Sequence, residues 1–320
     1  MITASAPAKS ILLGEHAVVY GQPALAVPLT SLRARATAAA NPTNISGLRI
    51  MGSGTDEVLP LEIDAEMVDN ALALTARLVL KHLGVVTPPN ITIALQSDIP
   101  VASGLGSGAA VSTALARVLC AAVNRTIDNE ALNAIIYEVE KVYHGTPSGI
   151  DNTVIVFEHP VYFVRGVPPQ RFALHRAMTL LIGDTGLRAS TRVAIDDVRA
   201  LYMKDPKRIS EIFCAIGALV ERGRAALATG DLAQLGELMD ANHMLLRELQ
   251  VSCPELDRLI EAARSAGALG AKLSGGGRGG NMIALVEHEA VEPVRSALLA
   301  AGAARVLAVR LGGASDGDFR

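Results

Sequence analysis

Four stretches of this chain carry residue types and spacings that could do chemistry. The first is Pro100-Val101-Ala102-Ser103-Gly104-Leu105-Gly106-Ser107-Gly108-Ala109-Ala110, which leaves a strand pattern and enters a helical one. Glycines let backbone N–H groups approach a common centre, and a helix N-terminus adds unpaired donors with a partial positive charge. Such a loop cradles an anion, most often phosphate; a close-packing Gly/Ser/Ala loop is the plain alternative. It is not a Walker A loop, because the Lys-Ser/Thr pair is absent, and its last glycine misses the dinucleotide fingerprint. The second stretch, Ser274-Gly275-Gly276-Gly277-Arg278-Gly279-Gly280, could add backbone donors and offers Arg278 to phosphate oxygens. A flexible hairpin loop explains it equally well.

The third stretch is His144-Gly145-Thr146-Pro147-Ser148-Gly149-Ile150-Asp151-Asn152, a turn leading from a helix towards the apolar segment Thr153 to Phe157. Asp151 on this turn could act as a general base, with Ser148 or Asn152 orienting it or a substrate, or it could be an Asx-turn carboxylate serving backbone donors. The preceding helix has an apolar stripe through Leu132, Ile135, Ile136, Val139, Val142 and Tyr143, flanked by Glu138 and Glu140. Either carboxylate could ligate a metal or be a solvated flank, and periodicity does not choose. The fourth stretch runs from Ala6 through Lys9, Glu15 and His16 to Gly21. By residue type alone, a lone Lys before a strand and a Glu-His pair after it are surface features. Neither His16 nor His144 forms a zinc pattern with nearby ligands, since Glu140 and His144 make only one helix-spaced pair.

Positioning these groups falls to a β-rich first half and a helix-rich second half. Strand patterns occur at Ser10 to Leu13, Ala24 to Val27, Leu32 to Ala38, Leu48 to Ile50, Val58 to Ile63 and Asn90 to Gln96, as parts of a mixed or antiparallel sheet. Helical patterns span Asn70 to Leu83, Ser107 to Val123 and Asp128 to His144. After strand patterns at Val161 to Val164 and Met178 to Ile182, long helices follow at 192–204, 207–228, 231–249 and 254–267. Strand patterns at Met282 to Val286 and Arg305 to Leu311 then enclose a helix near 289–301. The texture changes at 165–180, where Gly166, Pro168 and Pro169 cluster.

With 320 residues, 50% of them hydrophobic, the chain can bury a core in one or two domains. A net charge of −3 leaves no electrostatic footprint for nucleic acid or an anionic membrane, and 3% aromatics without Trp argue against base stacking. The start lacks a signal-peptide pattern, and the long uncharged stretches at 17–32 and 99–116 are too interrupted to span a bilayer. Three separated cysteines, Cys120, Cys214 and Cys253, fit a reducing cytoplasm better than a disulfide framework.

Taken together and in this order, the four stretches resemble the galactokinase, homoserine kinase, mevalonate kinase and phosphomevalonate kinase superfamily, the GHMP kinases, from about Lys9 to Gly280. Lys9 to Gly21 and the His144 to Asn152 run are similar to the mevalonate kinase branch. The resemblance implies an α+β fold of two domains. These are 1–170, like ribosomal protein S5 domain 2, and 171–320, ferredoxin-like, with the active site in the cleft between them. It implies that Pro100, Ala102, Ser103, Gly104, Leu105, Gly106, Ser107, Gly108 and Ala109 wrap the phosphates of ATP. Glu140, with Ser107, would hold Mg²⁺; Asp151 would take the proton of the primary hydroxyl of mevalonate, and Lys9 would offset developing negative charge. Glu15, His16, Ser148 and Thr191, which follows Ser190, match positions at the acceptor pocket.

The implied activity is ATP-dependent phosphorylation of the C5 hydroxyl of mevalonate to 5-phosphomevalonate in isoprenoid biosynthesis. The implied setting is the cytoplasm, with mevalonate and ATP as partners, no nucleic acid and no membrane; a homodimer is compatible with it. Alternatives are a kinase of the same superfamily for phosphomevalonate, homoserine or a sugar, and a catalytically silent ligand sensor on the same fold. A phosphorylated acceptor would demand extra cations in the pocket, and a sensor would lose Asp151 or Glu140. Two positions depart from the family pattern. Ser107-Gly108 stands where consecutive serines are common, so Ser107, Ser112 or a water would complete a Mg²⁺ shell, and Arg278 stands where glycine is common.

Overall fold

The computed structural model describes residues 1–41, 46–52, 70–100, 104–144, 147–188 and 190–312. The chain forms two compact units, Met1–Ala8, Leu32–Val101 and Gly106–Glu158 in the first, and Lys9–Ser31, Ala102–Leu105 and His159–Arg320 in the second.

The first unit takes the start of β1 (Ile2–Leu13) and the later part of β2 (Ala24–Ala40), with β3 (Arg49–Gly52) and β4 (Ile91–Ser97). β2 runs antiparallel to β4, with Ala36 opposite Leu95, while β3 runs parallel to β4, with Ile50 opposite Ile93. Against this mixed sheet lie α1 (Ala71–His82), α2 (Ser107–Ala122), α3 (Asn129–His144) and α4 (Ile150–Phe157). Asn70 starts α1 by accepting hydrogen bonds from the N–H groups of Leu72 and Ala73. Buried Ala109, Ala110, Ala114 and Ala116 let α2 pack on α1, α3, α4 and β4. The end of α4 is tied down by Glu158, which accepts from Arg33 at 3.0 and 3.1 Å and from Arg117.

In the second unit, the first residues of β2 pair with β5 (Val161–Phe163), and β5 pairs with β6 (Gln170–Arg171). β7 (Met178–Asp184) is followed by α5 (Thr191–Lys204), α6 (Pro206–Thr229), α7 (Leu232–Glu248) and α8 (Pro254–Ser265). Then come β8 (Gly270–Leu273), β9 (Asn281–Val286), α9 (Val291–Ala300) and β10 (Arg305–Leu311). The antiparallel order β10-β7-β9-β8 is that of a ferredoxin-like sheet. Leu181, Leu273, Met282 and Ala284 of its strands share a core with Ile216, Leu246, Leu256, Ile260 and Leu298 of the helices. Asp205 caps α6 with Pro206 at its first position, and Gly230 ends it in the left-handed region.

Several elements differ from the pattern in the sequence. β1 begins at Ile2 rather than near Ser10, because its first half is built of small residues that leave little periodic signal. Ala24–Val27 and Leu32–Ala38 belong to one strand, β2, in which Pro28 lies between the stretch paired with β5 and the stretch paired with β4. The strand β8 was not anticipated, and Val58 to Ile63 lies outside the described residues. Among the described residues no helix is long and apolar enough to cross a membrane.

Candidate active site

In the second unit, the residues expected at the surface from type alone are interior. Lys9 lies within β1 at 2% exposure, and its N–H donates to the carbonyl of Leu105 at 3.0 Å. β1 ends at Leu13, and the chain turns through Gly14, Glu15 and His16 into a 3-10 turn at Ala17–Tyr20. Gly14 N–H donates to Asn242 Oδ1 of α7 at 3.3 Å. Glu15 is buried; its Oε1 pairs with Lys272 Nζ of β8, and its Oε2 has no hydrogen-bond partner among the described residues. Burial pushes the Glu15 carboxyl up, opposed first by Lys272 and then more weakly by Lys9. His16 is buried too, and desolvation lowers its pKa to about 4, so the ring is neutral at physiological pH. Its Nε2 lies 3.1 Å from the Gly276 carbonyl and therefore carries the ring proton.

The second glycine stretch is the β8–β9 hairpin, and it closes on the start of the first. A Cβ on Gly104 would lie 2.9 Å from the Ser274 carbonyl oxygen, and a Cβ on Gly275 would lie 2.7 Å from Gly104 Cα. Only glycine at both positions permits this backbone contact. Ser10 Oγ and Ser274 Oγ share a hydrogen bond at 3.3 Å, and Thr191, the first residue of α5, sits against Gly276. Ser190 is the N-cap of α5, its Oγ accepting from Val193 N–H. Arg278 ion-pairs with Asp197 of α5 and donates to the Gln250 carbonyl at 3.3 Å, so its guanidinium is already engaged.

In the first unit, Gly106 begins α2 in the left-handed region at φ 74°, without a side-chain cap and without an acid in the first turn. The donors of Ser107, Gly108 and Ala109 thus sit at the positive end of a sixteen-residue helix. Ser112 further along is buried, its hydroxyl unpartnered among the described residues. On α3 the two flanking carboxylates separate: Glu138 is exposed and paired with Lys141 at 2.7 Å, whereas Glu140 is buried at 2% exposure.

The stretch holding Asp151 is not a turn running into an apolar segment. It is helical from Ile150, with Gly149 at φ 93° as N-cap and Thr153 Oγ1 donating back to the Gly149 carbonyl. Asp151 occupies the first turn of α4. The helix forms despite its β-branched residues because burial of Val154, Ile155 and Val156 outweighs their propensity. Ser148 Oγ accepts from Ile150 N–H at 3.4 Å, and Asn152 donates to Asn133 Oδ1 of α3 at 2.7 Å, which fixes α4 against α3.

The second unit thus gathers Lys9, Glu15, His16, Gly104, Leu105, Thr191 and the hairpin; the first carries Pro100, Gly106 to Ala109, Glu140, Ser148 and Asp151. Ala102, Ser103 and the side chain of His144 lie outside the described residues. Sequence reasoning missed Lys272 and Asn242. The signal for Lys272 was a single cation inside the apolar run Gly270-Ala271-Lys272-Leu273, directly before a glycine loop.

Backbone donors at two glycine loops, together with buried carboxylates and lysines, equip a protein for phosphoryl transfer, and the α+β fold that carries them defines an ATP-dependent small-molecule kinase of the GHMP class. Residues 70–159 match the GHMP kinases N terminal domain, and residues 224–304 match the GHMP kinases C terminal domain. Mevalonate kinase of Thermococcus gammatolerans is 32% identical over 319 residues, covering 94% of each chain, and that of Aeropyrum pernix is 35% identical over 295 residues, covering 90% of each. L. major mevalonate kinase, solved in complex with R-mevalonate, superposes with a TM-score of 0.83 at 28% identity over 98% of this chain and 97% of that one. Methanococcus jannaschii mevalonate kinase has the same fold, with a TM-score of 0.85 at 23% identity over 98% of each chain. The chain belongs to the mevalonate kinase family of the GHMP kinases.

Proposed function

We propose that this enzyme transfers the γ-phosphoryl group of ATP to the C5 hydroxyl of mevalonate, giving 5-phosphomevalonate and ADP for isoprenoid biosynthesis. The observation that carries this reading is Glu15, a buried carboxylate with one oxygen on Lys272 and the other without a hydrogen-bond partner among the described residues, in the Lys9 to Gly21 run that resembles the mevalonate kinases. A buried acceptor left unmet costs about 1–3 kcal/mol, which a substrate hydroxyl would recover. The neutral His16 ring has its proton towards Gly276, leaving Nδ1 to accept from the same molecule.

The backbone donors from Gly104 to Ala109 hold the ATP phosphates, where transition-state charge spreads over the moving group's oxygens. Asp151 takes the hydroxyl proton, and the Lys9 ammonium offsets the charge that develops. Ser148 and Thr191 complete the acceptor pocket. The buried Glu140 carboxylate with the Ser107 or Ser112 hydroxyl forms a hard-oxygen donor set that suits Mg²⁺, whose remaining ligands are ordinarily phosphate oxygens and water. Among the described residues no three His, Cys, Asp or Glu groups cluster. Bound there, Mg²⁺ would neutralise phosphate charge. Three free cysteines are in keeping with a cytoplasmic enzyme.

A coupled ADP-release assay across mevalonate, phosphomevalonate, homoserine and galactose tests the acceptor, and strong turnover of another acceptor with none of mevalonate overturns it. Asp151→Asn lowers kcat by about 10²–10⁴-fold while nucleotide binding persists. Near-normal turnover of that variant at saturating substrates would refute the base assignment.

A further inference from the structure

Lys272 has no part in the phosphoryl transfer outlined above, yet its side chain is 0% exposed. An ammonium so far from water persists only when paired and hydrogen-bonded. Lys272 Nζ pairs with Glu15 Oε1 and donates to the Leu273 carbonyl at 2.8 Å. The turn that carries Glu15 is also held from α7, through Asn242 and Gly14. β8 itself is pressed onto α7 so closely that a Cβ on Gly270 would lie 2.0 Å from the Gly236 carbonyl oxygen, so Lys272 cannot shift with its strand.

We propose that Lys272 is a positioning residue of the acceptor site: its ion pair fixes Glu15 Oε1, so that Oε2 stays available to the acceptor hydroxyl. The proposal rests on the acceptor reading of Glu15 given above. Burial alone would drive the Glu15 carboxyl towards its protonated form, and Lys272 is the largest opposing influence, followed by Lys9 from β1. The other titratable groups close by are His16 on the same turn, under the influence of Lys272 and then Arg278, and His243 of α7, whose pKa Lys272 helps to lower. Both histidines have pKa values near 4, so above that pH Lys9 is the remaining cation acting on Glu15.

Steady-state kinetics of Lys272→Met from pH 5 to 9 tests the idea. The KM for mevalonate rises about tenfold or more while the KM for ATP stays within about twofold, and the acid limb of kcat/KM for mevalonate moves to higher pH. The double variant Glu15→Gln/Lys272→Met carries no buried unpaired charge from this pair, and its KM for mevalonate matches that of Glu15→Gln. A wild-type KM and an unshifted acid limb in Lys272→Met overturn the proposal, as does a double variant about tenfold worse than Glu15→Gln. Should Lys272→Met fail to fold, the comparison of Glu15→Gln with the double variant decides alone. Wild-type enzyme that ignores mevalonate would instead refute the acceptor reading.

Discussion

Gly275→Ala isolates the contact between the two glycine loops. Gly275 sits at φ +81°, and an added methyl would lie 2.7 Å from Gly104 Cα and 3.2 Å from Gly104 O. A left-handed alanine costs about 1–2 kcal/mol wherever it occurs. Gly166, at φ +82° with nothing within 4 Å of its would-be Cβ, measures that cost alone when it too becomes alanine. The excess at Gly275 comes from backbone, and no side chain can rotate away. Reaching an ordinary 3.4 Å contact moves the loops apart by 3.4 minus 2.7, about 0.7 Å. Misplacement on this scale costs up to ~10²-fold in organised sites, so the KM for ATP should rise roughly 10–100-fold. The Tm should fall below that of Gly166→Ala by thermal denaturation. Equal Tm values for the two variants, with a wild-type KM for ATP, would refute a phosphate loop held in shape by this contact.

Two further outcomes follow from burial and strain. His16 and His243 have folded pKa values near 4 against an ordinary 6.5, because desolvation disfavours their charged forms. The unfolded chain therefore binds more protons, and stability is lost as pH falls from 6.5 to 4, by roughly 3 kcal/mol per histidine at most. Denaturant titrations should show a shallower decline over that window for His243→Gln, and an unchanged slope would exclude the histidine as a source. Arg278 occupies φ 60° and pairs with Asp197 at partly exposed positions. For Arg278→Gly, relief of about 1 kcal/mol of backbone strain offsets an ion pair worth about 0–1 kcal/mol. Stability and the KM for ATP should both stay near wild type, and a tenfold rise in that KM would return Arg278 to the phosphates.

Much of the architecture was legible because its signals are local. Asn70, Asp205-Pro206 and Gly230 mark helix ends through hydrogen bonds and dihedral preferences that depend on a few adjacent residues. The start of α2 at Ser107 followed from the glycines before it. The first half of β1, the continuity of β2 through Pro28 and the strand β8 were not legible. Small residues leave no alternation, a proline is read as a break, and four residues around a lysine resemble a loop. Asp151 was misplaced onto a turn because a β-branched segment reads as non-helical until burial is known.

The amino-acid order alone determined which groups are available: two glycine runs, Lys9, the Glu15-His16 pair, the carboxylates of α3 and Asp151, and the family they resemble. The resemblance pointed to Glu140, but periodicity and residue type by themselves could not tell Glu138 from Glu140, nor a surface lysine from a buried one, since both choices depend on what packs against the residue from elsewhere in the chain. Tertiary structure alone decided that Glu140 is interior, that Arg278 is engaged by α5, and that Lys272 lies against Glu15 across 257 positions of sequence. Burial removes water from these groups, and only a folded chain can supply the partner that replaces it.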